Sequence, residues 1–295
     1  MTKAPFYGLT LALAGTLILT PDALLMRLSG MGGFQMAGWR GVFMGSAMLL
    51  VWALISKSRS ADLSKLRSGP GLLIIAAQIF NSTLFCLGIA NAPAAVVLMG
   101  VAAVPVFSAL LSRVVTGEIT SPATWVAIVA VLGGIGIAVL GGGHGTLVFD
   151  WRLITGAGFG LGVGFVLALN FVTLRAHPDL PILPAIGLGA WIAGALGWAV
   201  TGPVQMMDGS IWAMAVTGLV VLPVSFFMLS LSARHTLAAN VSLLMLLETV
   251  LGPLWVWLGV GEAPTPAMIV GGSIVVVSLA AYLVHLRDHT RTQGT

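Results

Sequence analysis

Apolar runs of about twenty residues, separated by connections too short to fold alone, dictate which solvent this chain can live in. A helix that crosses a bilayer needs ~20 mostly apolar residues. Ten stretches qualify, roughly 6–28, 35–56, 71–90, 94–115, 122–140, 153–175, 182–202, 211–233, 237–259 and 266–286. Charged residues make up 7% of the chain, against about 25% in a soluble domain. So few charges cannot cover a water-facing surface, and the mean hydropathy of +1.05 points the same way. The chain reads as an all-α, multi-pass membrane protein with lipid against much of its surface. The first run follows Lys3 as a signal peptide would, but it exceeds twenty residues without a convincing cleavage site and reads as a retained helix.

With the N-terminus in the cytoplasm, ten of the thirteen Lys and Arg fall inside, and Arg27, Arg40 and Arg152 fall outside. That asymmetry fits the positive-inside tendency and puts both termini in the cytoplasm. The basic residues do not cluster as nucleic-acid binding requires. Cys86 is the only cysteine, so an intrachain disulfide or CxxC site is impossible and a buried thiol is expected. No metal site and no cofactor are expected.

The sequence contains an internal repeat. "TGEITSPATW" (116–125) and "VGEAPTPAMI" (260–269) share Gly-Glu-x-x-Ser/Thr-Pro, with Glu118 and Glu262 144 positions apart. Ser121 or Thr265 suits an N-cap, and Pro122 or Pro266 suits the first helical position, so each copy opens a helix. A weaker register of 148 relates Gly8 to Gly156, Asp22 to Asn170 and Arg27 to Arg175. Five spans per copy is odd, so the halves, 1–148 and 149–295, must cross in opposite senses. Inverted five-helix repeats around a central cavity are a recurrent transporter plan; a symmetric channel or scaffold is the plainer alternative.

With its ten helices in two halves, and with "VPVFSALLSRVVTGEITSPATWVAIVAVLGGIGI" (104–137) carrying Pro105 thirteen residues before Glu118, the chain resembles the EamA-like members of the drug/metabolite transporter superfamily. In the family's second half Leu-Glu-Pro-Val is usual; "LETV" stands here, so Glu248 is kept and Thr249 replaces the proline. Arg40, after Trp39, also matches a family position. "LTPDALLMRL" (19–28) adds to a likeness to YddG-type bacterial amino-acid exporters. The resemblance implies a secondary transporter in the bacterial inner membrane that exports aromatic and other neutral amino acids. Related carriers of riboflavin, sugars or drugs are the alternative.

Eight of nine acidic residues lie in connections or near span ends; Glu248 alone is central. A central charge costs about 2.5–3.5 kcal/mol on insertion scales, so it is either a coupling carboxyl or an interhelical hydrogen-bonding group. Thr249 is placed to bond back to a carbonyl one turn earlier. Gln78, Asn81, Ser82 and Phe85 share one face of the third span at mid-depth. They suit a zwitterion's polar groups and side chain; an interhelical hydrogen-bonded contact is the alternative, but three polar groups on one stripe exceed what a single contact needs. The repeat carries Asn81 onto Ser225, beside Phe226; Met99 and Asn240 complete the expected lining. Gly156, Gly160 and Gly164 form a ridge for close packing that also leaves room for a substrate path. Thr20-Pro21 should kink the first helix. Asp22, Arg27 and Arg40, near the outer surface, form either an ion-pair gate or a static pair. Trp39, Trp151 and Trp212 stand where interfacial anchors belong.

The histidines sit in connections or near span ends, so an intramembrane enzyme lacks a clustered acid, base and nucleophile. Nothing binds ATP, and no ATPase partner is evident. The expected partners are a small-molecule substrate and the bilayer.

Overall fold

The computed structural model describes residues 4–116, 122–140, 150–236 and 238–292. Its helical passes are α1 (Ala4–Leu19, continuing as Asp22–Ser29), α2 (Gly33–Ile55), α3 (Gly69–Asn91) and α4 (Ala94–Val101, continuing as Val104–Thr116). They continue with α5 (Pro122–Leu140), α6 (Trp151–Ala176), α7 (Ile182–Thr201), α8 (Ile211–His235), α9 (Ala238–Val260) and α10 (Pro266–Thr292). Among the described residues seven of these, α1 to α4 and α6 to α8, are long and apolar enough to cross a membrane. The apolar stretches of α5, α9 and α10 are shorter: Trp125–Leu140, Leu244–Val260 and Pro266–Ser278. The molecule is a multi-pass membrane protein.

Local chemistry sets the helix ends. Gly30 closes α1 in the left-handed region at φ 65°, which a side chain would resist. Ser68 Oγ accepts from Gly71 N at 3.3 Å and Asp150 Oδ1 from Arg152 N at 2.8 Å, opening α3 and α6. Thr265 Oγ1 accepts from Met268 N at 3.3 Å before Pro266, so the second Gly-Glu motif does open a helix. In the first copy, Glu118 and Ser121 lie outside the described residues.

Prolines shape the interiors. α1 breaks at Thr20-Pro21, where the Thr20 hydroxyl donates to Leu17 O at 2.9 Å and accepts from Trp255 Nε1 at 3.2 Å. α4 breaks at Ala102-Ala103, just ahead of Pro105, whose ring removes a donor and disfavours helix before it. The position 144 residues on is Thr249, and there α9 runs unbroken. Thr249 is buried. α8 meets Pro223 by widening into a π turn over Thr217–Val221.

α2 packs along α7, α5 along α10 and α4 along α9. α3 lies against α6 and α7, α8 against α1 and α2, while α4 packs on α6 and α9 on α1. The α2–α7 contact is backbone to backbone: a Cβ on Gly41 would lie 2.5 Å from Gly194 N. The Gly156/Gly160/Gly164 ridge is filled by α4, since a Cβ on Gly160 would lie 2.1 Å from Val97 O. The glycines thus let α4 pack closely on α6.

Polar contacts tie the connections at the two ends. At one, Ser210 N donates to Ser29 O at 2.8 Å, Gln35 Nε2 to Gln205 O at 2.7 Å, and Trp39 Nε1 to Met206 O at 2.7 Å. Trp39 is thus held by protein, whereas Trp151 and Trp212 are exposed at their helix starts. At the other end Lys65 pairs with Asp179 at 3.2 Å and Arg234 donates to Leu180 O. The short helix Arg59–Leu66 lies on that side.

Candidate functional site

Helical spacing brings Gln78, Asn81, Ser82 and Phe85 onto one buried face of α3, exposed by 2, 7, 4 and 6%. α2 supplies the facing groups. Gln78 Nε2 contacts Met44 Sδ at 3.9 Å. One turn earlier, the Arg40 guanidinium carbon stands 5.1 Å from the Phe85 ring centroid, and Nη1 reaches Cys86 Sγ at 3.6 Å. Arg40 Nη2 donates to Asp22 Oδ2, closing an ion pair with α1. Glu248 on α9, also buried, is in electrostatic reach of both Asp22 and Arg40.

Asp22 and Arg40, expected near the outer surface from their positions close to span ends, are buried within the protein, 1 and 4% exposed. Asp22 opens the segment after the break at Thr20-Pro21, and Arg40 stands two turns inside α2. Arg27, grouped with them on sequence grounds, instead pairs with Glu262: its Nε lies 2.9 Å from Oε2, and its Nη2 donates to Ala92 O at 2.6 Å. Glu262 Oε1 accepts from Ala94 N at 2.8 Å, so this carboxylate also caps the first turn of α4. Sequence reasoning grouped Asp22 with Arg40 but did not bring Cys86 or Glu248 to them. The matching signal was the helical spacing of Phe85-Cys86 with the polar stripe.

The other expected lining residues are dispersed. The Ser225 hydroxyl donates to Val221 O at 2.6 Å within its own helix. Phe226 shares the main apolar cluster with Phe85, whereas Met99 belongs to a second one, its thioether beside Gly272. Asn240 is on α9 with its side chain outside the described residues. Two adjoining cavities of about 350 and 420 Å³ lie at the Glu262 end, sharing Ala90, Asn91 and Arg152. The α3 stripe itself is closed over.

Among the described residues the site's polar inventory is unfinished. Asp22 Oδ1, Arg40 Nε and Gln78 Oε1 are buried without a hydrogen-bond partner. Buried polar groups are otherwise nearly always paired; Asp22 Oδ1 and Arg40 Nε belong to the ion pair, and Gln78 Oε1 to the α3 face.

Residues 6–140 match the EamA-like transporter family. The chain is also 25% identical over 244 residues to an "Uncharacterized transporter YdfC" of Bacillus subtilis (strain 168), covering 80% of this chain and 77% of that protein. A crystal structure superposes with TM-score 0.68 at 18% identity, over 95% of this chain and 98% of its own, a likeness of fold. The EamA-like segment holds Asp22, Arg40, the α3 stripe and Cys86; Glu248 comes from outside it.

Proposed function

We propose that this chain is a secondary transporter that exports aromatic and other neutral amino acids, or closely related small metabolites, across the bacterial inner membrane by alternating access. In this reading residues 1–148 and 149–295 are two five-helix halves of opposite topology, with ten membrane passes and cytoplasmic termini. The helix contacts support it: exchanging each helix with the one five places along leaves the set of principal pairs unchanged. A side-chain contact repeats as well. Arg27 donates to Ala92 O just before α4, and its repeat mate Arg175 donates to Thr236 O, at 2.8 Å, just before α9. Those two contacts sit at opposite ends of the molecule, as inversion requires.

The observation that carries the reading is the buried Asp22–Arg40 pair, set against Phe85 and Cys86 of α3, with the buried Glu248 in electrostatic reach of the pair. Charges in a membrane interior are costly and mark substrate or ion pathways. Gln78, Asn81, Ser82 and Phe85 would contact the substrate, with Ser225, Phe226, Met99 and Asn240 as outer lining. Glu248 would couple its movement to that of a proton.

The test is flux into proteoliposomes across a panel of labelled amino acids, riboflavin, sugars and cationic drugs. Saturable phenylalanine flux with counterflow is expected, and Glu248→Gln should flatten its dependence on pH. Non-saturable flux would make the protein a pore. Selective movement of riboflavin, a sugar or a drug would replace the amino-acid reading.

A further inference from the structure

The connection between α2 and α3 gathers positive charge: Lys57, Arg59, Lys65 and Arg67, four of the thirteen Lys and Arg, fall within residues 57–67. The acid among them, Asp62, is turned to the protein, where Oδ2 accepts from Trp52 Nε1 at 2.8 Å and from Ser56 Oγ at 2.7 Å. Leu66, 4% exposed, roots the short helix Arg59–Leu66 in the main apolar cluster. Gly71 lets that helix sit against the start of α3, since a Cβ there would lie 2.6 Å from Leu66 O. The segment is thus held from within, and helical spacing sets what it presents outward. Arg59, Leu63 and Arg67 recur every four residues and form one stripe, and all three are exposed. Lys57, just ahead of the helix, is exposed as well. Arg59 spends one N–H on Ala53 O and Lys65 pairs with Asp179, whereas the side chains of Lys57 and Arg67 have no partner among the described residues. Leu54 and Ile55, which end α2, are 75 and 63% exposed.

This Arg–Leu–Arg stripe starts four residues after a membrane-spanning helix ends at Ile55, which sets it at the depth of the lipid headgroups. Basic side chains there can lay their stems on acyl chains and keep their charges among phosphates, and a basic cluster just outside a span attracts anionic lipid. The connection five helices along, 203–210, is built differently. It has no Lys or Arg, and its Gln205 and Met206 carbonyls are taken by Gln35 and Trp39. The charged surface therefore belongs to one half and one end of the molecule. We propose that residues 57–67 dock anionic lipid headgroups, with Lys57, Arg59 and Arg67 on the phosphates and Leu63, Leu54 and Ile55 in the acyl boundary. The inference needs the membrane placement of the chain and not the transport reading.

The full-length protein in detergent is titrated with dioctanoyl phosphatidylglycerol, dioctanoyl phosphatidylcholine or inorganic phosphate, and hydrogen exchange is followed in peptides covering 57–67. Phosphatidylglycerol should slow exchange there saturably, with phosphatidylcholine at least about tenfold weaker. Each basic side chain near an anionic surface adds about fivefold in affinity, so Lys57→Gln/Arg59→Gln/Arg67→Gln should lose at least about tenfold. Asp62 and Leu66 stay in place in that variant, and its melting temperature without added lipid checks its fold. Arg59→Lys/Arg67→Lys, which keeps the charge, and Arg152→Gln, at the Glu262 end, should both bind as wild type. Equal protection by the two lipids, or by phosphate alone, overturns the surface. Undiminished binding by the triple variant, or a comparable loss in Arg152→Gln, overturns it too. If the triple variant melts early, the contrast between the two lipids on the wild-type chain decides alone.

Discussion

Removing Arg40 alone would leave the Asp22 carboxylate buried at 1% exposure with no counter-charge. Breaking a buried pair in this way costs about 3–5 kcal/mol, whereas replacing both partners with apolar groups is often neutral or better. Arg40→Met should therefore melt well below wild type, and Asp22→Leu/Arg40→Met should recover most of the loss while remaining inactive in flux. Thermal unfolding in detergent checks the first part; equal loss in single and double variants would mean that the pair is not what holds these helices. The cluster was half legible in the sequence. Glu248 stood out because no other acidic residue occupies the middle of an apolar run. Asp22 and Arg40 did not, because distance from a span end measures depth only if the helix is straight. The break at Thr20-Pro21 was foreseeable; the burial of Asp22 just after it was not.

Among the helices, sequence spacing identified surfaces better than partners. The α6 glycines were readable as a packing ridge, but only the structure shows that α4 occupies it. The α2–α7 contact went unread, although Gly38, Gly41 and Gly45 follow three-and-four spacing on one helix. The break in α4 just ahead of Pro105 went unread, as did the π turn that precedes Pro223. The ridge gives a sharp test. Gly160→Ala would put a Cβ 2.1 Å from Val97 O, a backbone atom that cannot rotate aside. Overpacking of that kind costs about 1–3 kcal/mol or more. Gly158→Ala, with nothing within 4 Å of its Cβ, should stay within about 0.5 kcal/mol of wild type. Comparable melting shifts in both variants would show that helix propensity, not the α4 contact, governs this helix.

At the scale of the whole molecule, the two arginine contacts act at opposite ends of the bundle and face the same kind of joint. Arg27 ties α1 to the turn before α4 and, through Glu262, to the turn before α10. Arg175 ties α6 to the turn before α9. If the halves rock about a central site, each end must open in turn, and each arginine contact must then be released. Cys86 is a native reporter of that movement, being the chain's only thiol, 0% exposed and against Arg40. A membrane-impermeant maleimide should label it slowly in wild-type vesicles of either orientation. Arg27→Gln, which removes the ion pair to Glu262 and the bond to Ala92 O, should speed labelling in right-side-out vesicles. Arg175→Gln should speed it in inside-out vesicles. The partition between the two sides is the informative quantity, because general loosening would raise labelling from both sides in both variants. Opposite sidedness requires the repeat-related contacts to face opposite solutions, so this measurement also tests the inverted topology without reference to any substrate.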